Sequence, residues 1–394
     1  MPLEALHQRG FLSAENPLQR LPAKYGPIEE LQRTLPELFG TKHLRPYFEK
    51  TFPCLEIDFS RLDRPLATAI ARNVFFAGSA YIHNHNESNA TCLPKNLAIL
   101  MARAGEYFQV PPILSYFFYC LSNWRFVGKE GNFEPENLRI IQSFIPDECE
   151  NWFIVIHVSI EHYAGAGLTA LIEAQKAIEK DDLQLVTQKL EITAASLRKI
   201  NKVLRRMPER CRPEDYYHRV RPQIKFFSNV IYEGVEKFAS LPQNFRGETG
   251  AQSSIIPALC RFLGIKHQSS SLTRHLDDMM SYMSPEHRDF LKNIPRETAT
   301  GSLIKDYLIS KLPKNVWVEY QPWLWDCHYQ GKKTRLLRET YNDCIRLIHE
   351  FRTIHRGYAI SYIQERTGDL TGTGGTPYVP WLTQMMDETL NFLI

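Results

Sequence analysis

The segment YNDCIRLIHEFRTIHRGYAISY (residues 341–362) decides the fold of this chain, because its apolar and aromatic residues recur every three or four positions. This spacing predicts a long amphipathic helix with one buried face, and the charged residues fall on its other faces. The buried face carries Tyr341, Cys344, Ile348, Phe351, His355, Tyr358 and Tyr362. His355 is therefore predicted to point inward, either as a metal ligand or as a core histidine that bonds backbone carbonyl groups.

The rest of the chain predicts an all-α protein built from two unequal parts. Its 394 residues exceed the length of roughly 250 to 300 residues at which single hydrophobic cores stop growing. We expect a small, mostly helical amino-terminal domain over residues 1–140 and a larger helical domain over residues 141–394, with a polar linker at 128–137. Helical patterns cover residues 65–80, 93–108, 110–124, 168–178 and 183–207, and clear alternating strands are nearly absent.

The charge balance favours a small-molecule ligand. The chain carries 47 basic and 44 acidic residues, and this net charge of +3 creates no strong field for nucleic acid or an anionic membrane. Eight dispersed cysteines without a CxxC pair argue against a zinc ribbon or a disulfide framework. The amino-terminal MPLEALHQRGFL lacks a signal-peptide pattern, and the longest apolar stretch is too short for a bilayer, so we expect a cytoplasmic protein.

A second helix, which begins at Trp152, is apolar on all sides except at His157, Ser159, Glu161 and His162. It continues into the small residues 164–167, which allow a flat ligand to approach the backbone. Close packing of two core helices is the alternative explanation of these small residues. His157 needs a polar partner inside an apolar face.

Three further segments carry residues suited to a ligand. Aromatic side chains surround Arg221 in the segment PEDYYHRVRPQIKFF (213–227). A guanidinium in such surroundings either binds the carboxylate of a ligand that has a flat ring, or extends to solvent from a packed helix. TGTGGT (371–376) has the glycines of a mobile lid or of an ordinary solvent loop. HNHNE spaces His83, His85 and Glu87 as in a strand-borne metal site, but its asparagines and helical surroundings favour a turn.

Together these segments resemble the indoleamine 2,3-dioxygenase family. The blocks that carry the resemblance follow the family's order from residue 110 to the end of the chain. They are VPPILSYFFYCLSNW (110–124), the helix that ends in small residues, 216–221, AQSS (251–254), MSPEHRDFL (283–291), FRTIH (351–355) and GTGGT (372–376). The resemblance implies an all-α protein that binds one haem b per chain in its larger domain.

The resemblance also implies roles for individual residues. His355 matches the proximal ligand of the haem iron, Arg352 the arginine near a haem propionate, and Thr249 a small hydroxyl residue close to the haem. Arg221 matches the arginine that binds the substrate carboxylate. The remaining matches are Tyr116, Tyr119, Phe153 and Tyr216 in the aromatic pocket and Gly372, Thr373 and Gly374 in the closing loop.

Three features depart from the usual family pattern. His157 replaces a serine and is similar to the distal histidine of the related tryptophan 2,3-dioxygenases, so it could accept the indole N–H or ligate the iron. Cys260 stands where the family often has an acid that pairs with the proximal-side arginine, so the partner of Arg352 is open. The aromatic segment 312–333 is predicted to be an insertion.

The resemblance implies a dioxygenase of tryptophan catabolism, in the kynurenine pathway, that converts L-tryptophan or a related indole and dioxygen to a ring-opened product, N-formylkynurenine from tryptophan. Its predicted catalytic residues are His157, Tyr216, Arg221 and Thr249. One alternative is an oxygenase of another indole or of a modified tryptophan in a biosynthetic route. The other is a non-catalytic haem or gas-sensing protein in which His157 and His355 both ligate iron. The sequence leaves the oligomeric state open.

Overall fold

The computed structural model describes residue 6 and residues 8–312, 329–367, 372–373 and 378–394. Helices dominate these ranges, which confirms the predicted all-α class. The α-helices are α1 (Gly26–Leu38), α2 (Leu44–Lys50), α3 (Arg64–Ile82), α4 (Lys95–Phe108), α5 (Glu148–Glu179), α6 (Leu183–Leu204), α7 (Pro213–Asp215), α8 (Ile255–Leu263), α9 (Ser271–Met280), α10 (Pro285–Asn293), α11 (Leu303–Lys311), α12 (Tyr329–Ala359), α13 (Glu365–Thr367) and α14 (Tyr378–Leu390). Most of the predicted insertion 312–333 lies outside the described residues.

Short strands and single helical turns complete the architecture. A three-stranded sheet orders β1 (Cys92–Leu93) parallel to β4 (Phe227–Tyr232), which pairs antiparallel with β5 (Gln243–Phe245). Strands β2 (Arg125–Phe126) and β3 (Leu138–Arg139) pair antiparallel with each other. Wide π-helical turns span Phe117–Leu121, Tyr216–Val220 and Ile360–Gln364.

The helical hairpin predicted after residue 168 is present as α5 and α6. Asp147 caps α5 by accepting a hydrogen bond from the Cys149 amide at 2.7 Å. The chain reverses through Asp181, which adopts a left-handed conformation with φ of 53°. Asp182 then caps α6 by accepting from the Leu185 amide at 2.9 Å. The left-handed Asp181 and the capping Asp182 therefore allow α6 to begin after a very short turn.

Helix α12 packs against α6 through the predicted apolar face. Tyr341, Cys344 and Ile348 are completely buried. The Tyr341 hydroxyl donates to the Leu263 carbonyl at 2.6 Å, so even the polar end of this side chain is satisfied in the core. At the end of the segment, the Tyr362 hydroxyl donates to the Cys211 carbonyl at 2.6 Å. The next turn of the helix holds the buried Arg352 and the solvent-accessible His355, which belong to the site described below.

The prediction of a buried helix over residues 110–124 was wrong for most of its length. Only Phe117–Leu121 forms a helical turn, and the preceding residues form a buried loop. Two consecutive prolines, Pro111 and Pro112, lack amide donors for helical hydrogen bonds. The Tyr116 amide instead donates to the Gln252 side chain at 2.9 Å, a residue 136 positions away. A tertiary hydrogen bond thus replaces the local helical one.

In the described part of the chain, no helix is both long enough and apolar enough to cross a membrane. The cytoplasmic location and the division near residue 140 stay predictions.

Candidate active site

Two long helices, α5 and α12, contribute neighbouring histidines to the site. On α5, Phe153 and His157 are only half-buried, although Val155 and Val158 between and beside them are completely buried. On α12, His355 is exposed to solvent and is not packed in the core, although its place on the apolar face had predicted an inward direction. Solvent-accessible side chains therefore lie on both helices.

His157 has one nitrogen engaged and one available. Its Nδ1 bonds the Phe153 carbonyl at 2.7 Å, one helical turn earlier, so Nδ1 carries the proton and donates it. Within the described residues, Nε2 has no hydrogen-bond partner. Burial lowers the pKa of His157, so the ring is neutral near pH 7 and Nε2 offers a lone pair.

His355 forms no hydrogen bond with any residue that the structure describes. Solvent reaches the imidazole, but the surrounding protein removes much of its hydration. This desolvation is the main reason that the pKa of His355 is lowered to about 4, and the charge of the neighbouring His157 lowers it further. The ring is therefore neutral at pH 7, which is the form that binds a metal ion. The influence of His157 on this pKa places the two imidazoles near each other.

The aromatic residues matched to the pocket by sequence form one connected set of rings. Phe153 is its centre, with ring centroids 4.6 Å from His157, 5.0 Å from Tyr216 and 6.4 Å from Tyr119. The Tyr116 ring stands edge-on to His157 at 5.9 Å. Two of the residues matched to the pocket, Tyr116 and Phe153, thus contact the His157 ring, and Tyr119 and Tyr216 contact Phe153. Such rings provide a flat apolar wall for an aromatic ligand.

A buried carboxyl group accepts a hydrogen bond from one of these rings. Glu161 lies on α5 one turn beyond His157, and its Oε1 accepts from the Tyr116 hydroxyl at 2.9 Å and from Ser253 Oγ at 2.7 Å. Burial raises the pKa of Glu161 to about 7, although both hydrogen bonds oppose the shift. The sequence indicated Glu161 only as a polar residue on an apolar helix, and Ser253 only as a member of the AQSS block without a role of its own.

Arg221 and the closing loop meet at a second part of the site. The Arg221 side chain is 1% exposed, and its guanidinium lies 5.3 Å from the centre of the Tyr217 ring. Arg221 and Gly372 both line a cavity of about 360 Å³ next to β4. Thr373 is held in place because its carbonyl accepts from the Phe226 amide at 3.1 Å. Gly374 lies outside the described residues.

Thr249 lies between these two parts of the site. It caps the turn Gly250–Gln252, where its hydroxyl accepts from the Ala251 amide at 3.4 Å. The preceding residue, Glu248, is almost completely buried, and its carbonyl accepts from the Thr373 hydroxyl at 2.6 Å. No pattern in the sequence singled out Glu248.

The structure shows which groups pair with Arg352, whose partner the sequence left open. One terminal nitrogen of its guanidinium donates to the Met385 carbonyl at 2.7 Å and to Thr389, and the other lies 3.3 Å from Cys260 Sγ and 3.0 Å from His267 Nε2. His267 Nδ1 in turn lies 2.6 Å from the Glu388 carboxylate. An acid thus reaches Arg352 through an imidazole. Neither His267 nor Glu388 was identified from the sequence, because both lie far from Arg352 in the chain.

In the HNHNE segment, His83 and Glu87 have protein partners. His83 is buried between Asn89 Oδ1 at 3.4 Å and the Lys225 carbonyl at 3.2 Å, while Glu87 accepts from Asn84 at 2.5 Å. Across the residues described, no three His, Cys, Asp or Glu side chains cluster as they would around a metal ion. A haem iron does not need such a cluster, because the porphyrin supplies the equatorial ligands and the protein only an axial one.

Comparison with known proteins identifies the chemistry of this site. The family described as Indoleamine 2,3-dioxygenase matches residues 4–367. The chain belongs to the indoleamine 2,3-dioxygenase family. It is a haem-dependent dioxygenase that acts on an indole ring.

Individual relatives agree along nearly their whole length. Indoleamine 2,3-dioxygenase 1 of Rattus norvegicus is 28% identical, over 96% of this chain and 92% of the relative. Indoleamine 2,3-dioxygenase 2 of Homo sapiens is 26% identical, over 100% of this chain and 96% of the relative. A fungal relative, indoleamine 2,3-dioxygenase nanC of Aspergillus nanangensis, is 27% identical, over 97% of this chain and 94% of the relative.

The residues present fit the haem that this family uses. His355 offers a neutral imidazole without a protein partner among the described residues, which is the donor that an axial iron ligand requires. The half-buried face of α5 opposite contributes aromatic rings rather than charged groups. His355 would therefore hold the iron, and Thr249 and Arg352 remain predicted contacts of the haem. Because protein atoms already engage both terminal nitrogens of Arg352, its demonstrated role is to anchor α14.

Proposed function

We propose that this indoleamine 2,3-dioxygenase family member binds haem b through His355 and cleaves the indole ring of L-tryptophan with dioxygen to form N-formylkynurenine. The observation that carries the proposal is a pair of neighbouring neutral imidazoles, His157 and His355, together with the aromatic ring beside His157 and the buried Arg221. Bound haem supplies the iron that activates dioxygen, a reactivity that protein side chains lack.

Substrate orientation is the main task of the protein. Arg221 suits the α-carboxylate, because a guanidinium forms two parallel charge-assisted hydrogen bonds with it. Phe153 and Tyr216, with ring centroids 5.0 Å apart, suit the indole. Thr373 closes the pocket from the other side and excludes water, because its backbone and hydroxyl bond Phe226 and Glu248.

His157 suits the indole N–H. Because Nδ1 donates to the Phe153 carbonyl, Nε2 remains an acceptor directed away from its own helix. An indole with a methyl group on nitrogen would leave this acceptor unpaired, which costs about 1–3 kcal/mol. We therefore expect N-methyltryptophan to be a poor substrate.

The decisive experiment is an aerobic assay of reduced, haem-loaded protein with L-tryptophan, with detection of the formylated product by absorbance and mass spectrometry. We expect product from the native chain, and a red protein with one haem per chain. His355→Ala should lose haem binding, measured from the Soret band. His349→Ala is the matched control, because His349 lies on the same helix at a separate surface cavity with Arg205 and Glu350 and should retain haem.

The position of His157 also favours a second candidate, a haem protein in which both histidines ligate the iron. A six-coordinate spectrum of the reduced protein that tryptophan leaves unchanged would support it. Ring cleavage of a different or modified indole, with no product from L-tryptophan, would instead support a biosynthetic oxygenase. Failure of the native chain to bind haem would contradict all three assignments.

A further inference from the structure

The buried Arg352 on α12 is held by a set of contacts that the reaction described above does not use. Its two terminal nitrogens carry four N–H groups. One nitrogen donates to the Met385 carbonyl at 2.7 Å and to Thr389 Oγ1, both on α14. The other lies 3.3 Å from Cys260 Sγ on α8 and 3.0 Å from His267 Nε2. Four acceptors thus meet the four N–H groups, and the guanidinium joins α12 to α14 and to the region of α8.

The two contacts of the His267 ring define where its proton lies. A guanidinium has only donors, so Nε2 accepts from Arg352 and carries no proton. Nδ1 therefore carries the proton and donates it to the Glu388 carboxylate at 2.6 Å. Gln384 donates to the same carboxylate at 2.8 Å. The side chains of His267 and Glu388 are only 10% and 13% exposed, so water competes weakly for these hydrogen bonds.

A second proton on His267 would break this arrangement. It would sit on Nε2 and point at the guanidinium, so the acceptor would be lost and two positive charges would meet. Burial, followed by the charge of Arg352, lowers the pKa of the ring, although Glu388 opposes the shift. The charged groups that face the ring are Arg352 from α12 and Glu388 from α14, and the Cys260 thiol of α8 shares the same guanidinium nitrogen.

These contacts lie close to both ends of the predicted active site. Arg352 precedes His355, the predicted haem ligand, by three residues on α12. Helix α14 follows the predicted closing loop at 372–374 along the chain. With an acceptor for each N–H group on its terminal nitrogens, Arg352 contributes to the site by fixing the position of these helices.

We propose that His267 is a positioning residue whose neutral ring, oriented by Glu388, holds Arg352 and so fixes α12, the helix of His355, against α14. We call these three residues the Arg352–His267–Glu388 triad. This inference deepens the proposed function and rests on it for the role of His355 as haem ligand. The contribution of the neutral ring is complete above its ordinary pKa of 6.5 and is lost as the pH falls through the lower folded value.

Hydrogen exchange of the α14 amides in haem-loaded protein tests the triad. A glutamine can accept from Arg352 and donate to Glu388, as the neutral imidazole does, but it does not titrate. At pH 7.5, His267→Leu should lower the protection factors of α14 about tenfold or more, and His267→Gln should retain the native values. Between pH 7.5 and 5, protection should fall further in the native chain than in His267→Gln.

A matched control and a second measurement complete the test. His275→Leu is the control, because the His275 ring also contacts α14, at 5.1 Å from the Trp381 ring, in a contact that does not involve Arg352. This variant should retain the native dependence on pH. The second measurement is the rate of haem transfer to apomyoglobin at pH 7.5, followed by the Soret band. Transfer should be faster from His267→Leu than from the native chain, and unchanged from His267→Gln.

The results separate this inference from the proposed function. A His267→Gln variant that loses as much protection as His267→Leu, or that keeps the native dependence on pH, overturns the role of the neutral ring. Unchanged protection in His267→Leu, or a lost pH dependence in His275→Leu, overturns the triad, and unchanged haem transfer from His267→Leu overturns its link to the haem site. If His267→Leu does not fold, the comparison of the native chain with His267→Gln decides. A native chain that binds no haem overturns the proposed function, whereas hydrogen exchange still tests the triad.

Discussion

At the scale of single residues, the site depends on polar groups that support the aromatic wall. Tyr116 contacts the His157 ring with its edge and the Glu161 carboxyl group with its hydroxyl. The neighbouring Tyr119 is equally buried, but its hydroxyl lies 3.4 Å from Glu150, which also accepts backbone hydrogen bonds. Variants of the two tyrosines therefore test how much a single buried hydroxyl contributes to the free energy of unfolding.

Tyr116→Phe should lower the free energy of unfolding by about 1–2 kcal/mol, because Glu161 loses one of its two donors while it stays buried. Tyr119→Phe is the control and should cost less than about 1 kcal/mol, because Glu150 retains its backbone donors. Urea denaturation of both variants measures the difference. Equal losses would contradict the assigned importance of the Glu161 contact.

At the scale of elements, α5 serves as the framework for both the site and the amino-terminal segment. Gly165 on α5 and Gly10, which has φ of 63°, touch backbone to backbone. A Cβ added at Gly165 would lie 2.4 Å from the Gln8 carbonyl oxygen and 2.5 Å from the Gly10 nitrogen. Gly165 thus admits a crossing chain segment, and Gly167 lies against Ser196 of α6, as the alternative of close helix packing predicted.

Gly165→Ala should therefore displace the segment around Gly10 and cost about 1–3 kcal/mol of stability. Phe11, which packs against His287 and Phe290, would lose its position, and amide hydrogen exchange in residues 8–12 should accelerate. Gly357→Ala on α12 is the control. Nothing lies within 4 Å of its added Cβ, so this helical substitution should be neutral or stabilising by up to about 1 kcal/mol. Unchanged exchange near Gly10 in the first variant would contradict the close contact.

At the scale of the whole molecule, buried titratable groups set the pH range of stability. Burial raises the pKa of Glu150 and Glu248 to about 8 and that of Glu161 to about 7. Their stabilising contribution is complete below the ordinary carboxyl value near 4.5 and is lost as the pH rises through the folded values. Burial also lowers the pKa of His83 and His287 to about 4, so their contribution is lost as the pH falls from 6.5 toward that value.

The free energy of unfolding should therefore be larger at pH 6 than at pH 8.5, a range in which the three carboxyl groups lose their protons. Urea denaturation across this range measures the slope. Glu150→Gln combined with Glu161→Gln should flatten the slope, since an amide does not titrate. Stability that rises between pH 6 and 8.5 in the native chain would show that these carboxyl groups are ionised when folded.

The helices could be predicted wherever one local pattern dictates both conformation and burial. The turn at residues 180–182 and the apolar face of α12 are of this kind, because capping residues and helical spacing act within a few positions. The loop before Phe117 could not be predicted in this way, because its backbone amide bonds a glutamine 136 residues away. Contacts at that distance leave no trace in local periodicity.

The sequence by itself determined the all-helical class, the family and the residue types at the centre of the site, among them His157, His355 and Arg221. Only the tertiary structure decided which groups meet, such as His267 and Glu388, which form a chain of contacts with Arg352. It also decided which groups are buried without a described donor, such as the Glu248 carboxyl group. The physical reason is that helix formation follows from neighbours along the chain, whereas hydration and hydrogen bonding of a side chain depend on neighbours in space.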